Sequence, residues 1–113
     1  MGPDRVSVRL SYWPDGVLKN VEALGHAGTA PAGSNVACAA ITVLVRTAYE
    51  TIAGYAGVSV CGKASMPGQF GFEVGPYPPA IVDRLKGVGD YLLVGISSVE
   101  REFPGLIEMK IES

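Results

Sequence analysis

A chain of 113 residues, 48% hydrophobic and 18% charged, can bury the core of one domain and is not a disordered tail. Eleven acidic against nine basic side chains give a net charge of −2, which excludes a bulk attraction to nucleic acid or anionic lipid. One histidine and two cysteines are too few for a four-ligand zinc site, so we expect no metal.

Neither an export signal nor a membrane span is expected from the sequence. Charges at Asp4, Arg5 and Arg9 interrupt the N-terminus, where a signal peptide needs an apolar run. The longest apolar run, Val36 to Val45, stops at Arg46 and is shorter than the roughly 20 residues that cross a bilayer. We therefore expect a cytoplasmic protein with reduced thiols and no contact with a membrane.

The chain opens with the pattern of a β-hairpin. Alternating apolar side chains from Val6 to Tyr12 predict one strand, and those from Val17 to Ala23 predict a second. Pro14-Asp15-Gly16 between them has the residues of a tight turn. A segment of small residues and glycines, 25–34, follows and predicts a mobile loop whose only large side chain is His26.

A helix is predicted after this loop. Asn35 is a good N-cap, and residues 36–53 contain neither glycine nor proline. Their apolar side chains cover more than one face of the helix. Because one sheet can cover only one face, we expect a partner subunit to cover another.

The rest of the chain predicts two strands, a helix and a last strand. Val58 to Val60 and Phe70 to Val74 are the strands around the loop 64–68, and Pro78-Pro79 opens the second helix. Three glycines, Gly87, Gly89 and Gly95, weaken that helix. Alternation from Ile107 to Ile111 marks the last strand. The order ββ-α-ββ-α-β predicts one α+β domain over residues 1–113, a small mixed or antiparallel sheet with both helices packed on it.

The chemistry of the chain is concentrated around Cys38. With Asn35 as N-cap, Cys38 is the third helical residue, where unpaired N–H groups and the helix dipole favour a thiolate and offer an oxyanion hole. His26 lies on the loop that enters this helix, and a thiol beside an imidazole is the minimum apparatus for nucleophilic acyl transfer. Buried cysteines and surface histidines are also common, so spacing alone leaves the pair undecided.

The sequence resembles the ribosomal-processing cysteine proteases of bacteria (Prp). Gly25-His26-Ala27 and Cys38-Ala39-Ala40 match the two halves of that family's signature, with the family's twelve-residue separation between His26 and Cys38. The resemblance covers nearly the whole chain. Two positions depart from it: Asn35 stands where the family usually has Asp, and Ala37 stands where Val is common. The amide can still cap a helix or orient an imidazole, but it lacks the charge that would stabilise an imidazolium.

The resemblance implies a cysteine endopeptidase that removes a short N-terminal extension from a large-subunit ribosomal protein. Cys38 would be the nucleophile, His26 the general base and acid, and Asn35 a helix cap and orienter. Thr42, four residues after Cys38, would be either a supporting residue or bonded to its own backbone. The family acts as a homodimer without metal or organic cofactor.

Two alternatives belong to other classes. A ribosome-associated binding module with the same fold and no proteolysis is favoured by Asn35. A thiol redox protein is disfavoured because Cys38 and Cys61 form no Cys-x-x-Cys. The base rate of cysteine burial predicts that Cys61 is a packing residue of its strand.

Overall fold

The computed structural model describes residues 5–25, 32–64 and 69–112, with the backbone alone at 32–35. Most of the predicted loop 25–34 and of the predicted loop 64–68 lies outside these ranges. The elements follow the predicted order ββ-α-ββ-α-β, with a short 3₁₀ turn at Pro79–Ile81 before the second helix: β1 Val6–Tyr12, β2 Leu18–Leu24, α1 Ala32–Ala53, β3 Val60–Lys63, β4 Gln69–Val74, α2 Val82–Glu102 and β5 Ile107–Glu112.

The five strands form one mixed sheet in the order β3-β4-β2-β1-β5. The pairs β1–β2, β2–β4 and β3–β4 are antiparallel, whereas β5 runs parallel to β1, with Val8 opposite Met109. Both helices contact the same face, and the core lies between them and the sheet. The largest fully buried side chains come from every layer: Phe72, Leu10, Leu18, Ile41, Ile52, Leu85, Leu92 and Ile96. The prediction of an α+β domain is confirmed.

The other face of the sheet is polar, as the alternation of the strands requires. Arg9 and Glu22 face each other across β1 and β2. Arg9 also pairs with Glu112 at 3.7 Å, and Lys63 on β3 pairs with Glu73 at 3.0 Å. These pairs are about half exposed and contribute at most about 1 kcal/mol each.

Helix α1 begins earlier than the sequence predicted. Its first residue is Ala32, three residues before Asn35, so the prediction that Asn35 is the N-cap is wrong. One face of α1 is buried, and it consists of residues spaced three or four apart: Ala37, Ile41, Val45, Ala48 and Ile52. On the outer face Val36 is 53% exposed and Val43 is 49% exposed. The apolar side chains therefore do lie on more than one face, but this domain buries only one of them.

The segment Val36–Ala53 of α1 is long and apolar enough to cross a membrane by length and composition alone, with a mean hydropathy of 1.4. No such segment was predicted from the sequence, because the apolar run stops at Arg46. Over all 18 residues, however, Arg46 and Glu50 leave the mean hydropathy as high as that of a membrane-spanning helix. The inner face of the helix packs in the core of the domain, and core helices pass the same test.

Helix α2 tolerates its glycines for a reason that lies in the packing. A Cβ on Gly95 would lie 2.9 Å from Leu44 Cδ2, and one on Gly89 would lie 3.2 Å from Leu18 Cγ. Glycine at these two positions therefore lets α2 approach α1 and the sheet closely. At Gly87 no atom lies within 4 Å of such a Cβ. Gly87 is therefore the one glycine of the three that weakens the helix without allowing a closer contact within the subunit.

Candidate active site

Cys38 places its sulfur where β2 ends. The side chain is half-buried, and it projects from the second turn of α1 toward Gly25, the residue that follows β2. A Cβ added to Gly25 would lie 2.5 Å from Cys38 Sγ and 3.9 Å from Val6 Cγ2, at the start of β1. The thiol is therefore held between the helix and the end of two adjacent strands.

The two other residues of the predicted site are only partly placed. His26 directly follows Gly25 in the sequence but lies outside the described residues, so its distance from Cys38 stays a prediction. Asn35 is described by its backbone alone, as the fourth residue of α1. Since residues three apart lie on the same side of a helix, positions 35 and 38 share a face of α1.

The early start of α1 changes the expected surroundings of Cys38. In a helix that begins at Ala32, the unpaired N–H groups belong to residues 32–35, and Cys38 is the seventh residue. The effect of the helix dipole falls off within the first turn. The prediction that Cys38 lies among the unpaired N–H groups of the first turn is therefore wrong. The N–H groups of α1 beside Cys38 are bonded within the helix and are not available to an oxyanion.

Thr42 contacts the backbone of Cys38. Its hydroxyl donates a hydrogen bond of 2.8 Å to the carbonyl oxygen of Cys38, four residues earlier in the same helix. This is the local bond that a threonine inside a helix commonly makes. Of the two roles considered for Thr42, the structure therefore shows the bond to its own helix backbone.

Cys61 is exposed, which corrects the prediction of a packing residue. Cys61 is a residue of the edge strand β3, where it pairs with Glu73 of β4, and its side chain points to the polar face of the sheet. Burial statistics failed here because both helices cover the opposite face of the sheet and no described residue covers this one. Cys38 lies on the helix side of the sheet, and both cysteines are free thiols.

A groove of about 510 Å³ lies beside Cys61, and its walls include Trp13 and Tyr77. The Tyr77 hydroxyl donates a 2.6 Å hydrogen bond to Asp15 Oδ2. Burial and this bond raise the pKa of Tyr77 to about 12, and the same bond lowers the pKa of Asp15. The groove lies at the Tyr12 end of β1, whereas Cys38 lies at the Val6 end, so it is a separate surface.

The sequence singled out Gly25 only as part of a motif. Its contact with the Cys38 sulfur was missed, although a glycine directly between a predicted strand and the only histidine would have suggested a close approach. Within the described ranges, no three His, Cys, Asp or Glu side chains lie close enough together to hold a metal ion.

The fold and the site together define a small α+β domain with a half-buried free thiol on the helix side of its sheet. A family model described as "Cysteine protease Prp" matches residues 5–108 of the chain. The protein belongs to the Prp family of cysteine proteases. This confirms the resemblance found in the sequence.

Solved structures of other proteins share the fold. The ribosomal processing protease Prp from S. aureus, crystallised in complex with a substrate peptide, superposes with a TM-score of 0.77 at 17% identity, covering 95% of this chain and 99% of that one. SMU.848 from Streptococcus mutans gives a TM-score of 0.73 at 20% identity, covering 96% of this chain and 94% of its own. A search of the curated proteins found no match.

Proposed function

We propose that the protein is a cytoplasmic cysteine endopeptidase that removes a short N-terminal extension from a large-subunit ribosomal protein. One observation carries this proposal: Cys38 Sγ rests against Gly25, the residue directly before His26. The placement of the imidazole beside this sulfur is part of the proposal, and it is supported by the peptide bond that joins Gly25 to His26. Membership of the Prp family and the substrate peptide bound to S. aureus Prp support the choice of a peptide substrate.

In the proposed mechanism His26 takes the proton of the Cys38 thiol, and the thiolate attacks the carbonyl carbon of the scissile peptide bond. The imidazolium then protonates the leaving amine, which carries away the mature ribosomal protein. Water, activated by the neutral imidazole, hydrolyses the thioester and frees the extension. Asn35, on the same face of α1 as Cys38, is proposed to orient the imidazole. No metal or organic cofactor takes part.

The proposal is tested with a synthetic peptide that spans the extension junction of the host's own ribosomal protein. We expect one internal cut, located by mass spectrometry, and no cut in a peptide that begins at the mature N-terminus. Tight binding of the first peptide without a product would instead favour the non-proteolytic binding module. A host ribosomal protein that has no N-terminal extension would also favour the non-proteolytic binding module.

Alkylation tests whether His26 activates Cys38. Cys61 is the more exposed of the two thiols, so accessibility alone favours its reaction with iodoacetamide. We expect Cys38 to react faster nonetheless, because an adjacent imidazole promotes the thiolate, which is the reactive form. In the variant His26→Ala the rate at Cys38 should fall while the rate at Cys61 stays unchanged. Brief alkylation followed by mass spectrometry measures both rates. An unchanged rate at Cys38 in the His26→Ala variant would show that His26 does not activate this thiol.

We further propose that the protein is a homodimer joined through the outer face of its helices. A groove of about 600 Å³ runs between α1 and α2. Beside it, large apolar side chains are exposed on both helices: Val43 49%, Tyr91 75% and Val94 66%. Exposed apolar patches of this kind usually mark an interface, and a twofold axis would bring the same patch together from both subunits.

Replacing Val94 by Glu should convert the dimer to a monomer without unfolding the chain, since the side chain is already mostly in water. Static light scattering over a range of concentrations measures the mass. Ile111→Glu is the matched control, because it charges an exposed apolar residue on the edge strand β5, outside the groove between α1 and α2. A wild-type protein that is monomeric at every concentration, or a Val94→Glu variant that stays dimeric, would contradict this interface.

A further inference from the structure

Gly25 occupies a position where its own backbone does not require glycine. Among the described residues, the φ angle of glycine is in the left-handed region only at Gly16, Gly57 and Gly105. An alanine at position 25 would therefore meet no backbone strain, and at such positions Gly→Ala usually stabilises a protein by restricting the unfolded chain. The reason for glycine at position 25 must lie in what surrounds it.

The Cys38 sulfur is the atom that excludes a side chain at position 25. An added Cβ would lie 2.5 Å from Sγ, but 3.7 Å from Cys38 Cβ and 3.9 Å from Val6 Cγ2. The last two distances are ordinary, because non-bonded heavy atoms in contact are separated by about 3.5–4 Å. A side chain at position 25 would thus displace the sulfur by about 1 Å or more, and it would disturb little else.

We propose that Gly25 is a positioning residue for the thiol: it leaves open the space in which the sulfur rests at the end of β2. The consequence for cleavage rests on the proposed function, whereas the contact itself rests on geometry alone. A displacement of about 1 Å can lower a reaction rate by about 10²-fold. We expect Gly25→Ala to lower kcat by about 10²-fold and to change KM by less than about threefold.

A thermodynamic cycle tests the contact without any substrate. Gly25→Ala should lower the Tm of the wild-type chain by about 4 °C, a shift that corresponds to about 1 kcal/mol in a domain of this size. In the chain that also carries Cys38→Ala it should leave the Tm unchanged or raise it, because only the ordinary contacts remain. Gly54→Ala, at the far end of α1, is the control, since its Cβ would lie 3.5 Å from the Glu50 carbonyl oxygen. It should shift the Tm equally in both chains and leave cleavage unchanged.

Two results would overturn the proposal. One is an equal Tm change for Gly25→Ala with and without the Cys38 sulfur, and the other is a kcat within about threefold of the wild type. If the wild-type protein cleaves no extension peptide at all, the proposed function fails, and the cycle still decides whether Gly25 and the sulfur are in contact. Cleavage is measured well below the lower Tm, so that partial unfolding does not enter kcat.

Discussion

Cleavage of an extension peptide should be lost in the variant Cys38→Ser, with kcat/KM lowered by at least about 10³-fold, or about 4 kcal/mol of transition-state stabilisation. Serine is nearly isosteric with cysteine, so the packing against Gly25 is kept. Its hydroxyl, however, ionises far less readily than a thiol and is a much weaker nucleophile. Initial rates and a thermal melt of the same sample separate lost chemistry from a lost fold.

Cys61→Ser is the matched control for this experiment. This variant also replaces a sulfur by an oxygen, but at a residue of β3 on the polar face of the sheet, opposite the face on which Cys38 lies. We expect kcat/KM within about twofold of the wild type. Full activity of Cys38→Ser would remove Cys38 from the mechanism, and an equal loss in both variants would indicate that both thiols act together.

Gly71→Ala should destabilise the protein by about 3 kcal/mol, and lower its Tm by about 10 °C or more. Gly71 is a buried residue of β4, opposite Glu22 on β2. A Cβ at this position would collide with the carbonyl oxygen of Val21 and lie 3.0 Å from Glu22 Cα. These are backbone atoms of a central strand, which cannot rotate aside as a side chain can. The two strands would have to separate and lose hydrogen bonds.

The same substitution at Gly87 should have the opposite effect. Gly87 is exposed in α2, and nothing lies within 4 Å of an added Cβ. Because Gly87 also lines the groove of the proposed dimer interface, the substitution is made in the monomeric Val94→Glu chain. Alanine there gains about 1 kcal/mol of helix propensity, which should raise the Tm by about 4 °C. Urea unfolding of both variants measures the two free energies. A fall in stability at Gly87, or an unchanged stability at Gly71, would contradict the packing described above.

The sequence by itself determined the type of each element and the order of the elements along the chain. Two strands were predicted from the alternation of apolar and polar residues, Val6 to Tyr12 and Ile107 to Ile111. The start of α2 was predicted from the proline pair before it. Each of these signals depends only on residues that are close together in the sequence. The sequence also identified the family, because Gly25-His26-Ala27 and Cys38-Ala39-Ala40 stand at a fixed separation. Helix and strand periodicity therefore sufficed for the fold class.

Only the tertiary structure decided where those elements meet and where α1 begins. Asn35 has the side chain of an N-cap, but the helix already begins at Ala32, because a cap preference of about 1 kcal/mol is too small by itself to set where a helix starts. The exposure of Cys61 follows from its place on the edge strand β3, on the face of the sheet opposite the helices. The contact of Gly25 with Cys38 joins residues thirteen positions apart, and such a contact arises only when β2 and α1 pack together. Local sequence carries propensity and periodicity, whereas strand order and contacts between elements are set by the packing of the whole chain.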